Sequence, residues 1–387
     1  MDMMIFLHTV GSLSVDRGGP SRTVSSLSDA LASIGVTIYL VTMADSTASD
    51  LRCLPSEKGV GTVVAEDAGL PGKLGFYLRQ KLVALIREAK VEGIHDHGLW
   101  GATNFWSAFS ARKGGIPFFL SPRGMLEPWS LAQKRVKKSL AMLIYQRRIL
   151  NHVSVFFATS KEEANNIRKI GLRQPIAIIP NGVALPETHR YLDDKDGEQT
   201  RTVLFLSRIH EKKGLINLVR AWASIAPLNW KLVIAGNDYD GHEATVRREV
   251  SKLGLIDAVK FVGSVEGRNK ESLYLAADIF VLPTFSENFG VVVAEALAYG
   301  VPVITTTGAP WEELHEHDCG WWVAPEVESI ARGLQDGMSR TDVERYEMGL
   351  RGRQLVAEKY SWSSIGLSTL AVYEWVLKKG PRPDCVV

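Results

Sequence analysis

The sequence is poor in cysteine: Cys53, Cys319 and Cys385 stand far apart, with no Cys-x-x-Cys spacing. They read as isolated thiols of a reducing compartment, not as a disulfide framework or zinc ligands. Long apolar runs are also missing, and none approaches the ~18 residues that a membrane span needs. The opening MDMMIFLHTVG has an acid at position 2 and a short apolar run, which predicts a first buried strand and not a secretory leader. Charge of one sign is lacking too: 45 Lys and Arg face 43 Asp and Glu, a net of +2. No global field favours nucleic acid, so no nucleic-acid partner is expected. Two nucleotide signatures are absent, the GxxxxGK[ST] loop and the GxGxxG dinucleotide turn. These absences leave a cytoplasmic globular protein, able at most to sit on a membrane surface.

What the chain does have is length and alternation. Its 387 residues, 45% apolar and 23% charged, exceed one ordinary core and favour two domains. Strand-like runs alternate with helix-like segments, which predicts parallel sheets covered on both faces. Expected strands are 3–7, 37–42, 93–96, 117–121, 153–158 and 176–179, then 202–206, 231–235, 259–262, 279–282, 302–305 and 320–323. The break falls at Pro180-Asn181-Gly182, with a polar stretch at 192–200 as linker. Domains are therefore expected at 1–180 and 181–361, with a ligand crevice at the carboxyl ends of both sheets.

The chemistry concentrates in Ile279–Leu297, IFVLPTFSENFGVVVAEAL. A buried strand empties through a polar turn into a helix near Gly290, where free N–H groups and the helix dipole favour phosphate. Glu287 lies in the turn and Glu295 in the helix, which suits a ligand with phosphates between hydroxyl-rich sugars. An ordinary β-α unit with acids near the helix start reads equally well. Arg208 and Lys213, in SRIHEKKG, are either surface charges or a diphosphate clamp. Gly18 and Gly19, before Pro20, would let a loop approach a ligand closely. In GIHDHG, His95 reads as structural, while His97 is expected just past the strand end, pointing into the cleft; no third ligand stands at metal spacing. Arg123 follows another strand, and Asp238 and Asp240 have a metal-motif spacing but are expected away from the site. Residues 134–150 place Val136, Leu140, Leu143 and Ile144 on one helical face, among Lys134, Arg135, Lys137, Lys138, Arg147 and Arg148. Either a core helix with a basic outer side or a patch for anionic lipid fits that pattern.

Glu287 and Glu295, with seven residues between them, resemble the EX7E signature of retaining GT-B glycosyltransferases, and family 4 in particular. The resemblance extends over nearly the whole chain in order: GGPSR, HDHG, IPNGV, SRIHEKKG, FVG and LYLAADIFVLPT. SPRGML with the basic helix is similar to members that build bacterial surface polysaccharide and lipopolysaccharide. The resemblance implies a GT-B fold of two Rossmann-like domains, the second binding the nucleotide sugar and the first binding the acceptor. A terminal helix at about 362–379 would complete the first. It implies retaining, metal-independent transfer of a hexose-type sugar from a UDP- or GDP-sugar co-substrate to a glycan or lipid-linked acceptor. No permanently bound cofactor is implied, and residues 134–148 could touch an anionic membrane surface at the inner face of the cell membrane.

On matching positions, Glu287 would hold the donor sugar, the backbone of Asn288, Phe289 and Gly290 would read sugar and phosphates, and Glu295 would bind the ribose. Arg208 and Lys213 would neutralise the diphosphate, and Gly18 and Gly19 would close over it. His97 would contact the sugar, and the backbone near Val262 would hold the base. Arg123 stands where relatives often carry histidine, so it is a candidate acceptor residue that cannot be copied from them. A sugar-nucleotide epimerase of the same architecture and a non-catalytic sugar-nucleotide-binding module are the alternatives.

Overall fold

The structure is a computed structural model and describes residues 4–14, 19–44, 52–66, 74–189, 200–238 and 240–387. The chain divides into two compact units, residues 1–182 with 362–387 (unit 1) and 183–361 (unit 2). Each is a parallel sheet carrying helices on both faces, as continuous apolar strands require.

Unit 1 holds β1 (Ile5–Val10), β2 (Thr37–Met43), β3 (Val60–Ala65), β4 (Gly93–His97), β5 (Phe118–Ser121), β6 (Val155–Ala158) and β7 (Ile176–Ile178). Their order is β3-β2-β1-β4-β5-β6-β7, so the direction of winding reverses between β1 and β4. Successive residues of β1 face opposite ways. Phe6 packs with Ile38, Phe119 and Phe157 under the helices Gly19–Ser33 and Trp362–Val376, while Leu7 packs with Val41, Ile94 and Leu120 on the other face. Val24, Leu27 and Leu31 are the buried stripe of the first helix. Two strand expectations are corrected. β1 continues through Val10 instead of ending at Leu7, and β3 was not expected at all.

Unit 2 holds β8 (Arg201–Leu206), β9 (Trp230–Ala235), β10 (Val259–Gly263), β11 (Ile279–Leu282), β12 (Val303–Thr306) and β13 (Gly320–Val323), in the order β10-β9-β8-β11-β12-β13. Winding reverses here between β8 and β11. In such sheets ligands bind beyond the carboxyl ends of the strands at the point of reversal. That point lies at the loops after Leu206 and Leu282 in unit 2, and beyond Val10 and His97 in unit 1. No helix of the described residues is long and apolar enough to cross a membrane.

Candidate active site

The loops that follow β8 and β11 are sewn together. Lys212 O accepts from the Phe285 N–H at 2.9 Å and from the Thr284 hydroxyl at 3.1 Å. Gly214 makes this approach possible. At φ 69° it adopts a backbone that side chains avoid, and a Cβ there would sit 1.9 Å from Pro283 O. The stitching brings Lys213, in the short turn Glu211–Lys213, against Glu287, and the two form an ion pair. Their side chains are only 9% and 16% exposed, so the pair is largely removed from screening solvent. Arg208 stands exposed two residues beyond β8, with no partner among the described residues.

Next to the pair, the helix Val291–Ala298 starts at Gly290, whose φ of 80° again suits only glycine. No side chain caps this helix; Val293 N–H bonds to Gly290 O, and the N–H groups of Val291 and Val292 remain available to an anion. Trp311 Nε1 donates to Phe289 O at 2.6 Å, fixing the turn from behind, and Asn288 Oδ1 is buried without a partner. Glu295 is held separately: Lys270 Nζ donates to one oxygen at 2.7 Å and Tyr274 Oη to the other at 2.8 Å. Burial and the neighbouring Glu295 carboxylate push the Tyr274 phenol well above its ordinary range, so it stays a donor. Val262 lies in β10, and Gly263 O accepts from the Gly236 N–H.

The sequence reading missed Lys270 and Tyr274. Their i,i+4 spacing on a polar helix was the available signal. Asp238 and Asp240 follow β9, as expected. His210 Nε2 lies 3.4 Å from Asp240, so that loop abuts the turn bearing Lys213. Asp238 accepts from the His242 and Glu243 N–H groups and thereby caps the start of the helix His242–Lys252.

In unit 1 the parallel register sets His8 opposite His95, and His97 falls two residues further on the same face. His97 is the last residue of β4, 3% exposed, with both ring nitrogens engaged. The expected position past the strand end is therefore corrected: His97 belongs to the strand. Arg123, at φ 51°, can only donate, which fixes every tautomer in the cluster. Its Nη2 donates to His97 Nδ1 (3.1 Å), and His97 Nε2–H donates to His8 Nδ1 (3.3 Å). His8 Nε2–H donates to Tyr373 Oη (3.1 Å), Tyr373 O–H to His95 Nδ1 (2.6 Å), and His95 Nε2–H to Ser121 Oγ (2.8 Å). Burial holds all three imidazoles neutral, with His8 brought down to about 3 and the other two well below the ordinary range. Arg123 Nη1 also donates to Thr23 and Asn181, and its Nε is buried without a partner.

The ligand nitrogens of His8, His95 and His97 lie within 4.8 Å of one another, close enough for a cation. With a guanidinium in contact and every ring nitrogen already bonded, they fit a hydrogen-bond chain better than a metal centre. A second group, Glu313, Glu316 and His317, has Glu313 engaged by Lys359 and Tyr360.

On the opposite face of the same strands, Thr9 and Asn104 each donate to Asp96 at 2.7 Å. Gln146 in turn donates to Asn104 at 2.8 Å. Burial raises the Asp96 carboxyl to about 7 against these bonds. Gly18 lies outside the described residues, and Gly19 is the first residue of its helix.

Tyr373→Phe tests the chain of histidines. The ring and its stacking on Phe6 (4.1 Å) are kept, but a His8 donor and a His95 acceptor lose their partner. A stability loss of about 2–4 kcal/mol is expected from two unmet buried groups, read as a lower urea midpoint. An unchanged midpoint would show the network to be energetically idle.

Residues 17–186 match the model described as Glycosyltransferase Family 4, and residues 193–353 match Glycosyl transferases group 1. An uncharacterised glycosyltransferase of Methanocaldococcus jannaschii is 34% identical over 46% of this chain and 45% of its own length. The GDP-mannose:cellobiosyl-diphosphopolyprenol alpha-mannosyltransferase of Xanthomonas campestris is 27% identical over 61% of each chain. This chain thus spans less than two thirds of either relative. Among solved structures, Anabaena HepE in complex with UDP and glucose superposes with a TM-score of 0.75 at 18% identity, over 96% of this chain and 100% of that one. At that identity the likeness speaks for the fold, which is GT-B.

Proposed function

Because the chain belongs with the GT-B glycosyltransferases of the family 4 type, we propose that it transfers a hexose-type sugar from a UDP- or GDP-sugar to a glycan or lipid-linked acceptor, with retention. Surface polysaccharide or lipopolysaccharide assembly on the inner face of the cell membrane is the setting this reading assigns. Unit 2 takes the donor and unit 1 the acceptor. The observation that carries the reading is the Lys213–Glu287 pair beside the uncapped start of Val291–Ala298.

Breaking the bond from sugar to diphosphate builds negative charge on the leaving phosphate. Cations and helix N–H groups already in place lower that barrier without reorganising. Lys213, Arg208 and the N–H groups near Gly290 fill this role, and their charge makes a divalent metal unnecessary. Lys213 is neutralised by Glu287 until a donor arrives. The diphosphate then draws Lys213 away, and Glu287 is released to accept the sugar hydroxyls. Glu295, its oxygens oriented by Lys270 and Tyr274, keeps lone pairs for the ribose hydroxyls. The backbone near Val262 lies against the base. His97 acts through Arg123, which it helps to orient, and Arg123 meets the acceptor.

Screening UDP- and GDP-sugars for thermal stabilisation identifies the donor, since a bound ligand raises the melting temperature by mass action. With that donor, Glu295→Gln is expected to weaken binding about 10- to 100-fold, the worth of charge-assisted bonds to two hydroxyls. Unaltered calorimetric affinity would sink the ribose assignment. Conversion of donor to an epimer without acceptor would favour the epimerase instead.

A further inference from the structure

Between β5 and β6 the chain forms three helices, Pro128–Ala132, Arg135–Ala141 and Arg147–Asn151. A π-helical segment, Met142–Gln146, joins the last two, and Lys134 at φ 51° breaks the first from the second. The apolar face expected at 134–150 does not enter the core. Val136 and Leu143 are each 82% exposed, Leu140 56% and Ile144 58%. Exposed Phe105 and Phe109, on the helix Ala102–Gly114, continue the surface, with the Phe105 ring 5.8 Å from Tyr145. An apolar surface of this breadth marks an interaction site.

Between these helices and Trp100 lies an open cavity of about 660 Å³, within the range of ligand pockets. Its wall is Trp100, Leu131, Met142 and Leu143, and Arg135, Lys138 and Arg147 stand at the same cavity. Lys138 lies 5.6 Å from the Trp100 ring centroid and donates to Ser130 O. Residues 128–150 contain no Asp or Glu, and among the described residues no carboxylate pairs with these three cations. An apolar wall with uncompensated cations is complementary to one amphiphile: a hydrocarbon chain bearing a phosphate head.

We propose that this cavity binds a single long-chain lipid phosphate, with the chain along Trp100, Leu131, Met142 and Leu143 and the phosphate between Arg135, Lys138 and Arg147. The proposal rests on the reading of the acceptor as lipid-linked, and makes this site the holder of the acceptor's carrier. A flat anionic membrane needs surface charge and exposed apolar side chains, but not a cavity.

The test uses the full chain and decyl phosphate below its micelle concentration, followed by calorimetry. The parent is expected to bind it at least 10-fold more tightly than decanol or inorganic phosphate. Ala132→Trp, at an exposed position lining the cavity, is expected to weaken binding at least 10-fold by filling it. Arg135→Glu with Lys138→Glu should do the same by reversing the charge. Each variant should keep the donor-induced thermal shift of unit 2, which reports that the protein is folded. Equal binding by Ala132→Trp and the parent would overturn the site. So would parent binding to phosphatidylglycerol vesicles with no affinity for monomeric decyl phosphate, since the helices would then be a membrane face only. Decyl phosphate binding without any nucleotide-sugar binding would leave this site standing and remove the proposed transfer.

Discussion

Lys213→Ala is expected to slow sugar transfer about 10²- to 10³-fold, the loss seen when one preorganised donor to a developing anion is removed. The same change strips a largely buried carboxylate, Glu287, of its counter-charge. It should therefore also cost on the order of 1–3 kcal/mol of stability, less than for a fully buried pair. Glu287→Ala should lose comparable stability for the mirror reason. The double variant Lys213→Met/Glu287→Leu separates the two effects. With neither charge left unpaired, most of the stability should return, while transfer stays at least as low as in Lys213→Ala. Turnover with the donor found by screening, alongside urea melts of all three variants, decides it. A double variant that recovers transfer would show that the pair is structural. A Lys213→Ala enzyme with parental turnover would remove Lys213 from the leaving-group site.

Acidification from pH 6.5 towards pH 4 is expected to destabilise unit 1 steeply. His8, His95 and His97 are neutral when folded because burial lowers their pKa, His8 to about 3. Once unfolded they titrate near 6.5, so below that pH the unfolded state binds three more protons, and stability falls with pH. Asp96 works the other way. Its folded value near 7 lies above the ordinary carboxyl value, so from pH 7 down to about 4 the folded state holds the extra proton. The net difference grows from under one proton at pH 6.5 to about two below about pH 5.5, where the loss reaches about 2.7 kcal/mol per pH unit. Asp342 in unit 2, held down to about 2 by its hydrogen bond to Arg201, contributes only below about pH 4. Urea midpoints at pH 7, 6 and 5 test this. A flat or rising stability would mean that the histidines accept protons in the folded state.

Much of the fold could be read from continuous apolar runs. Ile279–Leu282 and Gly320–Val323 form strands with the expected bounds. β3 escaped because Val60–Ala65 is an edge strand, mostly half-buried and interrupted by Gly61, and so lacks an unbroken apolar run. His8 escaped for a related reason: the first strand was ended at the last aliphatic residue, Leu7, although buried polar residues continue it to Val10. Only the register of β1 on β4 reveals that His8 joins the two histidines of HDH. Periodicity also marked the apolar stripe of 134–150 without saying whether anything covers it. In unit 2 the acids and cations were visible as residue types. That Lys213 selects Glu287 depends on loops brought together by Gly214, and that Lys270 selects Glu295 on the packing of the helices Gly267–Ala276 and Val291–Ala298, neither of which spacing encodes.

Unit 2 is one continuous stretch, but unit 1 is made of two stretches separated by all of unit 2. At a synthesis rate of about 5–20 residues/s, the ribosome needs on the order of 10–40 s to cross the intervening segment. Until then the sheet of β1–β7 lacks the helix Trp362–Val376 on one face, and with it Tyr373. β7 also lacks the backbone bonds that Ile176 and Ile178 make with Val387 and Cys385. During that interval His8 and His95 have no phenol between them, and the face of the sheet under the helix Gly19–Ser33 lacks its second cover. The nascent first unit is thus an incomplete, protonatable body, while the second can already close around its own core. The unit whose last segment leaves the ribosome first, and not the one whose first segment does, is the first that can become native.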